Sequence, residues 1–146
     1  MDSNFLRVKT WMGEVGQATP DRLTRYDRQT MALRKTLIKE EFNELMDLFD
    51  AMEHSTLDHT FFDEDTLILE VVKEMCDLLV VTYGALVALG VDGDAAFRAV
   101  MENNDGKIAH AQRREDGKTV VAPEVKENLK RKMRKNLTRL LNLEAA

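Results

Sequence analysis

The chain has 146 residues, 21 of them Lys or Arg and 26 Asp or Glu, and its net charge of -5 argues against bulk nucleic-acid binding. A hydrophobic content of 44% with 32% charged residues describes a folded chain long enough for one core and too short for two comfortable domains. One cysteine, Cys76, excludes an internal disulfide framework and fits a reducing compartment, and no apolar run approaches the ~18 residues a membrane span needs.

With no charged-then-apolar leader at its start, the chain is expected to be cytoplasmic. Only two prolines and seven glycines, against many Leu, Met, Ala, Glu, Lys and Arg, favour helix over sheet. The first segment, about Asp2 to Val15, carries Phe5, Val8, Trp11, Met12 and Val15 at helical spacing. Thr19-Pro20-Asp21 then reads as an N-cap with proline at the first helical position. A second helix is expected from about Pro20 to Met52, because Leu23, Tyr26, Thr30, Leu33 and Leu37 keep a three-to-four spacing.

His54 to Glu64 is an acidic, irregular connector, and Phe61 and Phe62 are expected to anchor it to the bundle rather than form a binding site. Asp65 or Thr66 caps a third helix that runs to about Leu89 and stops at Gly90. Asp92 or Asp94 opens a short fourth helix through Ala95, Phe97, Val100 and Met101, which Asn103-Asn104-Asp105-Gly106 ends. A small hairpin is expected around Asp116-Gly117. Pro123 starts a last helix with a narrow stripe of Val125, Leu129, Met133, Leu137 and Leu140, its other faces basic. Packing explains that pattern better than a nucleic-acid surface does. Cys76 reads as a packed helix residue rather than a catalytic thiol.

Two carboxylate pairs stand out against this background. Glu41 and Glu44 border the apolar stripe Leu33, Leu37, Ile38, Phe42, Leu45 and Phe49; Glu74 and Asp77 sit among Val71, Val72, Met75, Leu78 and Leu79. Residues three apart project from one helix face. Four such carboxylates held together would repel one another and lose hydration, so they must take up protons or be neutralised by cations. The connector lets the two helices run antiparallel, and Glu40 adds a fifth carboxylate. No Glu-x-x-His pair of the di-iron type is present, and His54, His59 and His110 read as exposed loop residues rather than ligands. An all-oxygen set suits Mg²⁺, with Mn²⁺ as a substitute. Asp92-Gly93-Asp94 fails as a calcium loop, since the twelfth position is Asn103.

Glu40-Glu41-x-x-Glu44 and Glu74-x-x-Asp77 resemble the signature of the all-α nucleoside triphosphate pyrophosphohydrolases, a superfamily that includes MazG-type proteins, dimeric dUTPases and phosphoribosyl-ATP pyrophosphohydrolases. Asn104-Asp105-Gly106-Lys107 and Asp116-Gly117-Lys118 resemble its downstream motifs, in order, and the likeness spans roughly Thr19 to Pro123. The stretch between the acidic pairs is long for the family, and the helix after Pro123 lies outside the shared core.

The resemblance implies an all-α antiparallel bundle in one domain, with a C-terminal helical extension. It implies Mg²⁺ ligands at Glu41, Glu44, Glu74 and Asp77. Glu40 would orient or deprotonate the attacking water or help hold an additional metal, and Asn104, Lys107 and Lys118 would contact the substrate. Hydrolysis between the α- and β-phosphates of a nucleoside triphosphate is expected, with house-cleaning of dUTP or another non-standard deoxynucleotide ahead of histidine biosynthesis. A non-catalytic helical adaptor is the competing class, and the intact acidic positions count against it. Family bundles imply a homodimer or homotetramer, with no nucleic acid and no membrane as partners.

Overall fold

Ser3 starts the first helix: its hydroxyl accepts from the Leu6 N–H at 3.1 Å, and α1 runs from Asn4 to Glu14. The computed structural model describes residues 2–24, 27–54 and 64–143. Among them are α2 (Arg28–His54), α3 (Glu64–Ala88), α4 (Gly93–Asp105), a 3₁₀ turn (Ile108–His110), strands β1 (Gln112–Arg113) and β2 (Thr119–Val120), and α5 (Pro123–Leu140). Among the described residues the fold is all-α apart from this one short hairpin. No single helix is long and apolar enough to cross a membrane among the described residues. The backbone divides into two compact units, Met1–Gly90 and Val91–Ala146.

In the first unit α1 packs against α3. Phe5, Val8, Met12 and Val87 form the buried cluster, flanked by Tyr83 and Leu86. The Phe5 and Tyr83 rings meet edge-on at 6.3 Å, as the aromatic quadrupole favours. Only one stripe of α1 is used, however. Trp11 is 51% exposed and Val15 is exposed too, although the periodicity groups them with the core residues.

The second helix begins at Arg28, not near Pro20 as expected. Residues 18–24 lie outside any helix and are tied across the unit instead: the Thr24 N–H donates to the Leu89 carbonyl at 3.0 Å, and its hydroxyl to the Ala88 carbonyl. The N-cap is Asp27, whose carboxylate accepts from the N–H groups of Gln29 at 3.2 Å and Thr30 at 3.0 Å. Tyr26, read into the helical stripe, lies outside the described residues, as do the connector aromatics Phe61 and Phe62 and the third histidine, His59.

Helix α3 starts at Glu64, one residue ahead of the expected caps, and Gly90 ends it as anticipated, at φ +70. The α2–α3 pair is antiparallel: Arg34 lies against Gly84, whereas Glu41 and Glu44, later in α2, lie near Glu74, earlier in α3. Cys76 is exposed rather than packed. So are Ile68, Val72, Met75 and Leu79, at intervals of four, three and four, a stripe of α3 that is exposed among the described residues.

In the second unit Asp92 caps α4, accepting from the Ala95 N–H at 3.0 Å. Gly106 closes it where Leu129 of α5 packs so tightly that an added Cβ would come within 2.6 Å of its Cδ2. The expected hairpin forms, with Gln112 opposite Val120 and Arg113 opposite Thr119, and Gly117 takes φ +80 in its turn. Pro123 occupies the first turn of α5, as its lack of an N–H allows.

Candidate metal and nucleotide site

Three of the predicted ligands converge. Glu41 and Glu44 lie on one face of α2, and Glu74 comes from α3. One carboxylate oxygen from each falls within 4.8 Å of the others. Their settings differ: Glu44 is exposed, Glu41 half-buried, and Glu74 only 5% exposed. Glu74 is buried because its helix face is the one α2 covers, between Val71 and Leu78. Its Oε2 is buried and has no hydrogen-bond partner among the described residues.

Asp77 stands apart from this group of three. Lys73, one turn before it on α3, holds Asp77 Oδ2 at 3.0 Å and Glu74 Oε1 at 2.5 Å. A lysine four residues before an aspartate is a legible helix pair, yet its role as counter-ion to this cluster was not read from the sequence. The two carboxylates push the Lys73 ammonium well above the usual lysine range, chiefly through their hydrogen bonds to it. Glu41 shows the converse strain. Its carboxyl is raised above the ordinary value of 4.5 first by partial burial, then by the negative charges of Asp77, Glu44 and Glu74. Lys73 opposes that rise only in part. Among the described residues, Lys73 pairs with two of these four carboxylates, and one buried oxygen, Glu74 Oε2, has no donor. That donor set, all oxygen and under-neutralised, fits a hard divalent cation.

Glu40 precedes Glu41 on α2 and is exposed. Asn104, Lys107 and Lys118 belong to the second unit. Asn104 near the end of α4 accepts from Lys107 Nζ at 2.8 Å, so those two side chains are joined to each other. Lys118 lies in the hairpin turn, where its N–H donates to Asp116 Oδ1 at 3.1 Å, and Asp116 also pairs with Arg114 at 3.3 Å. His110 is exposed in the 3₁₀ turn, and His54 ends α2, with its Nδ1 2.8 Å from the Asp50 carbonyl. Neither joins a group of potential ligands among the described residues.

Compared with known families, residues 8–104 match the model of the phosphoribosyl-ATP pyrophosphohydrolase family. The chain belongs to that family. It is therefore an enzyme, a nucleotide pyrophosphohydrolase acting on phosphoric anhydrides, within the MazG-like all-α superfamily. No curated protein matches the chain. The matched segment reaches further toward the N-terminus than the likeness read from the motifs, taking in most of α1. It includes both acidic pairs and ends at Asn104, so Lys107, Lys118 and all of α5 lie beyond it.

Proposed function

We propose that this pyrophosphohydrolase cleaves a nucleoside triphosphate between the α- and β-phosphates in an Mg²⁺-dependent reaction, with Mn²⁺ as a substitute. The observation that carries this reading is the unpartnered, buried Oε2 of Glu74 inside a cluster of three carboxylates. Lys73 reaches only the other oxygen, Oε1, and a buried carboxylate oxygen left without a partner is costly unless a cation completes it.

Glu41, Glu44 and Glu74 would hold the cation, joined by Asp77 if its carboxylate leaves Lys73. When bound, it supplies the positive charge an acidic protein needs to hold a triphosphate and polarises the reacting phosphoryl group. Glu40, exposed beside this cluster, takes the proton from the attacking water. The water oxygen bonds to the α-phosphorus, the bond from that phosphorus to the bridging oxygen breaks, and the electron pair leaves with pyrophosphate. The resemblance of their motifs assigns Asn104, Lys107 and Lys118 to phosphate contacts, where lysines act as point charges.

For the substrate, a non-standard deoxynucleotide such as dUTP is the favoured reading, from the pattern of the Asn104 and Lys118 motifs. A second is supported by the family match itself, whose name is that of the phosphoribosyl-ATP enzyme. The deciding assay offers both classes of substrate with Mg²⁺, with Mn²⁺ and with chelator, and identifies the products. Monophosphate and pyrophosphate, lost with chelator, are expected. Release of a diphosphate and inorganic phosphate would show that another bond breaks, and turnover in chelator would remove the metal from the mechanism.

A further inference from the structure

Lys73 is the only basic residue of α3, and it stands at the acidic cluster. Its Nζ lies 2.5 Å from Glu74 Oε1 and 3.0 Å from Asp77 Oδ2. The lysine side chain is 56% exposed and that of Asp77 42%, whereas that of Glu74 is 7% exposed. The ammonium therefore sits on the solvent side of a buried carboxylate, the side from which a solute approaches.

Helix stability does not account for this placement. A lysine four residues ahead of an aspartate is the weaker order of such a pair, because each charge faces the wrong end of the helix dipole. Half-exposed pairs of this kind contribute little. The lysine does not complete the cluster either, since Glu74 Oε2 has no partner among the described residues.

Holding a cation does not account for it. A cation that takes Glu74 Oε1 or Asp77 Oδ2 displaces the ammonium from the same oxygen, so the lysine weakens the binding of the ion it sits beside. A cluster that served only as a cage would be better with a neutral side chain in its place. The lysine's use lies in what it does once displaced.

The ammonium is carried on a flexible stem, and its backbone anchor is the residue next to Glu74. Displaced from its two carboxylates, it cannot leave the site. It turns outward and stays close to a cation of like charge, an arrangement that is favourable only with an anion between the two. A phosphate chain is such an anion: one oxygen faces the cation while a neighbouring one accepts from the ammonium. Most of the charge of a nucleoside triphosphate lies on its β- and γ-phosphates, and more develops there as pyrophosphate leaves.

We propose that Lys73 is a phosphate-binding residue of this reaction. In the metal-free protein it holds Glu74 and Asp77; when a divalent cation takes those carboxylates, it passes to the leaving pyrophosphate. This role rests on the pyrophosphohydrolase reading for the identity of the cation and the anion. It also couples the two ligands, because the cation frees the ammonium that the phosphates need.

Calorimetric titration of the full-length protein separates the two duties of the lysine. The ligands are Mg²⁺ alone, and inorganic pyrophosphate first with Mg²⁺ in excess and then in chelator. Lys73→Gln should bind Mg²⁺ roughly three- to tenfold more tightly than the parent, and pyrophosphate with Mg²⁺ roughly ten- to a hundredfold more weakly. Lys73→Arg keeps the charge and should keep most of the pyrophosphate affinity. The parent should not bind pyrophosphate in chelator. Opposite signs for the two ligands are the mark of the handover, since damage to the fold would weaken both. Undiminished pyrophosphate binding by Lys73→Gln would make the lysine a counter-ion only, overturning the proposal while leaving the metal reading in place. Parallel weakening of both ligands would overturn it too, as would pyrophosphate binding to the parent in chelator that Lys73→Gln abolishes. A parent protein that binds no Mg²⁺ would refute the metal reading, and the handover with it.

Discussion

Lys73 and Glu74 are sequence neighbours whose side chains meet across the edge of the acidic cluster, Nζ to Oε1 at 2.5 Å. The ammonium is the one basic group paired with the cluster among the described residues, and it holds Asp77 at the same time. A divalent cation approaching these carboxylates therefore competes with a covalently tethered one. Lys73→Gln should tighten Mg²⁺ binding by roughly three- to tenfold, the scale of a partly exposed charge pair. The same change should lower the melting temperature in chelator. Calorimetric titration reads the first effect; unchanged Mg²⁺ affinity would mean that Lys73 leaves the cluster undisturbed.

Glu74→Gln addresses the cluster from inside. It removes a buried charge whose Oε2 has no partner, so the metal-free protein should be as stable as the parent or slightly more so. Hydrolysis should fall to background. Mg²⁺ should raise the melting temperature of the parent by mass action and raise that of the variant less. Near-native turnover by Glu74→Gln would remove the metal assignment and the mechanism with it.

The pH dependence of α2 is set at its first residues. The Thr30 hydroxyl, then the N–H groups of Thr30 and Gln29, hold the Asp27 carboxyl below its ordinary value of 3.8. A depressed folded-state value means that the ionised form stabilises the protein. That contribution is present above about pH 3.8 and is lost as pH falls through the depressed value. Asp27→Ala should therefore melt below the parent at neutral pH, and the gap should close in acid. A gap independent of pH would show that the carboxylate charge is not what caps the helix.

Gly90 carries a stronger demand than the other described glycines. At φ +70 it sits where an added Cβ would fall 1.9 Å from the Arg22 carbonyl oxygen. Gly90→Ala combines left-handed backbone strain with a collision against main chain, and should cost more than about 2 kcal/mol in denaturant unfolding. Gly117 has φ +80 but open space around it, so Gly117→Ala should cost only the strain, about 1–2 kcal/mol. Equal effects at the two sites would refute the clash.

Ile68, Val72, Met75 and Leu79 form an apolar stripe on α3 that is exposed among the described residues, and a second copy of the chain is its proposed cover. Val72→Arg should reduce the assembly to monomers in light scattering. A parent protein that is already monomeric at micromolar concentration would dismiss this proposal.

Local chemistry was legible wherever local chemistry decides the outcome. The Asp92 cap, the Gly90 stop, the hairpin at Asp116-Gly117 and the Pro123 helix start each need only neighbours in sequence. The acidic pairs were readable for the same reason, since a three-residue spacing sets a helix face. Distant partners hid the rest. Thr19-Pro20 resembles a helix start, yet Thr24 is held by Leu89, 65 residues later, and that bond keeps the preceding segment out of helix. Arg34 looks like a solvated charge until Gln17 and Gly84 are brought beside it. Trp11 and Cys76 have the spacing of core residues and are exposed, because periodicity identifies a face and not what lies opposite it.

Met12 is among the most deeply buried side chains, and its sulfur lies against the glycine that accommodates Arg34. Met52 and Met101 are exposed to solvent. Peroxide will therefore convert those thioethers to sulfoxides at once, whereas Met12 can react only when α1 lifts from α3. The lag between the two, followed by peptide mass, is a clock built into the chain. It times the opening of the first unit with no label added.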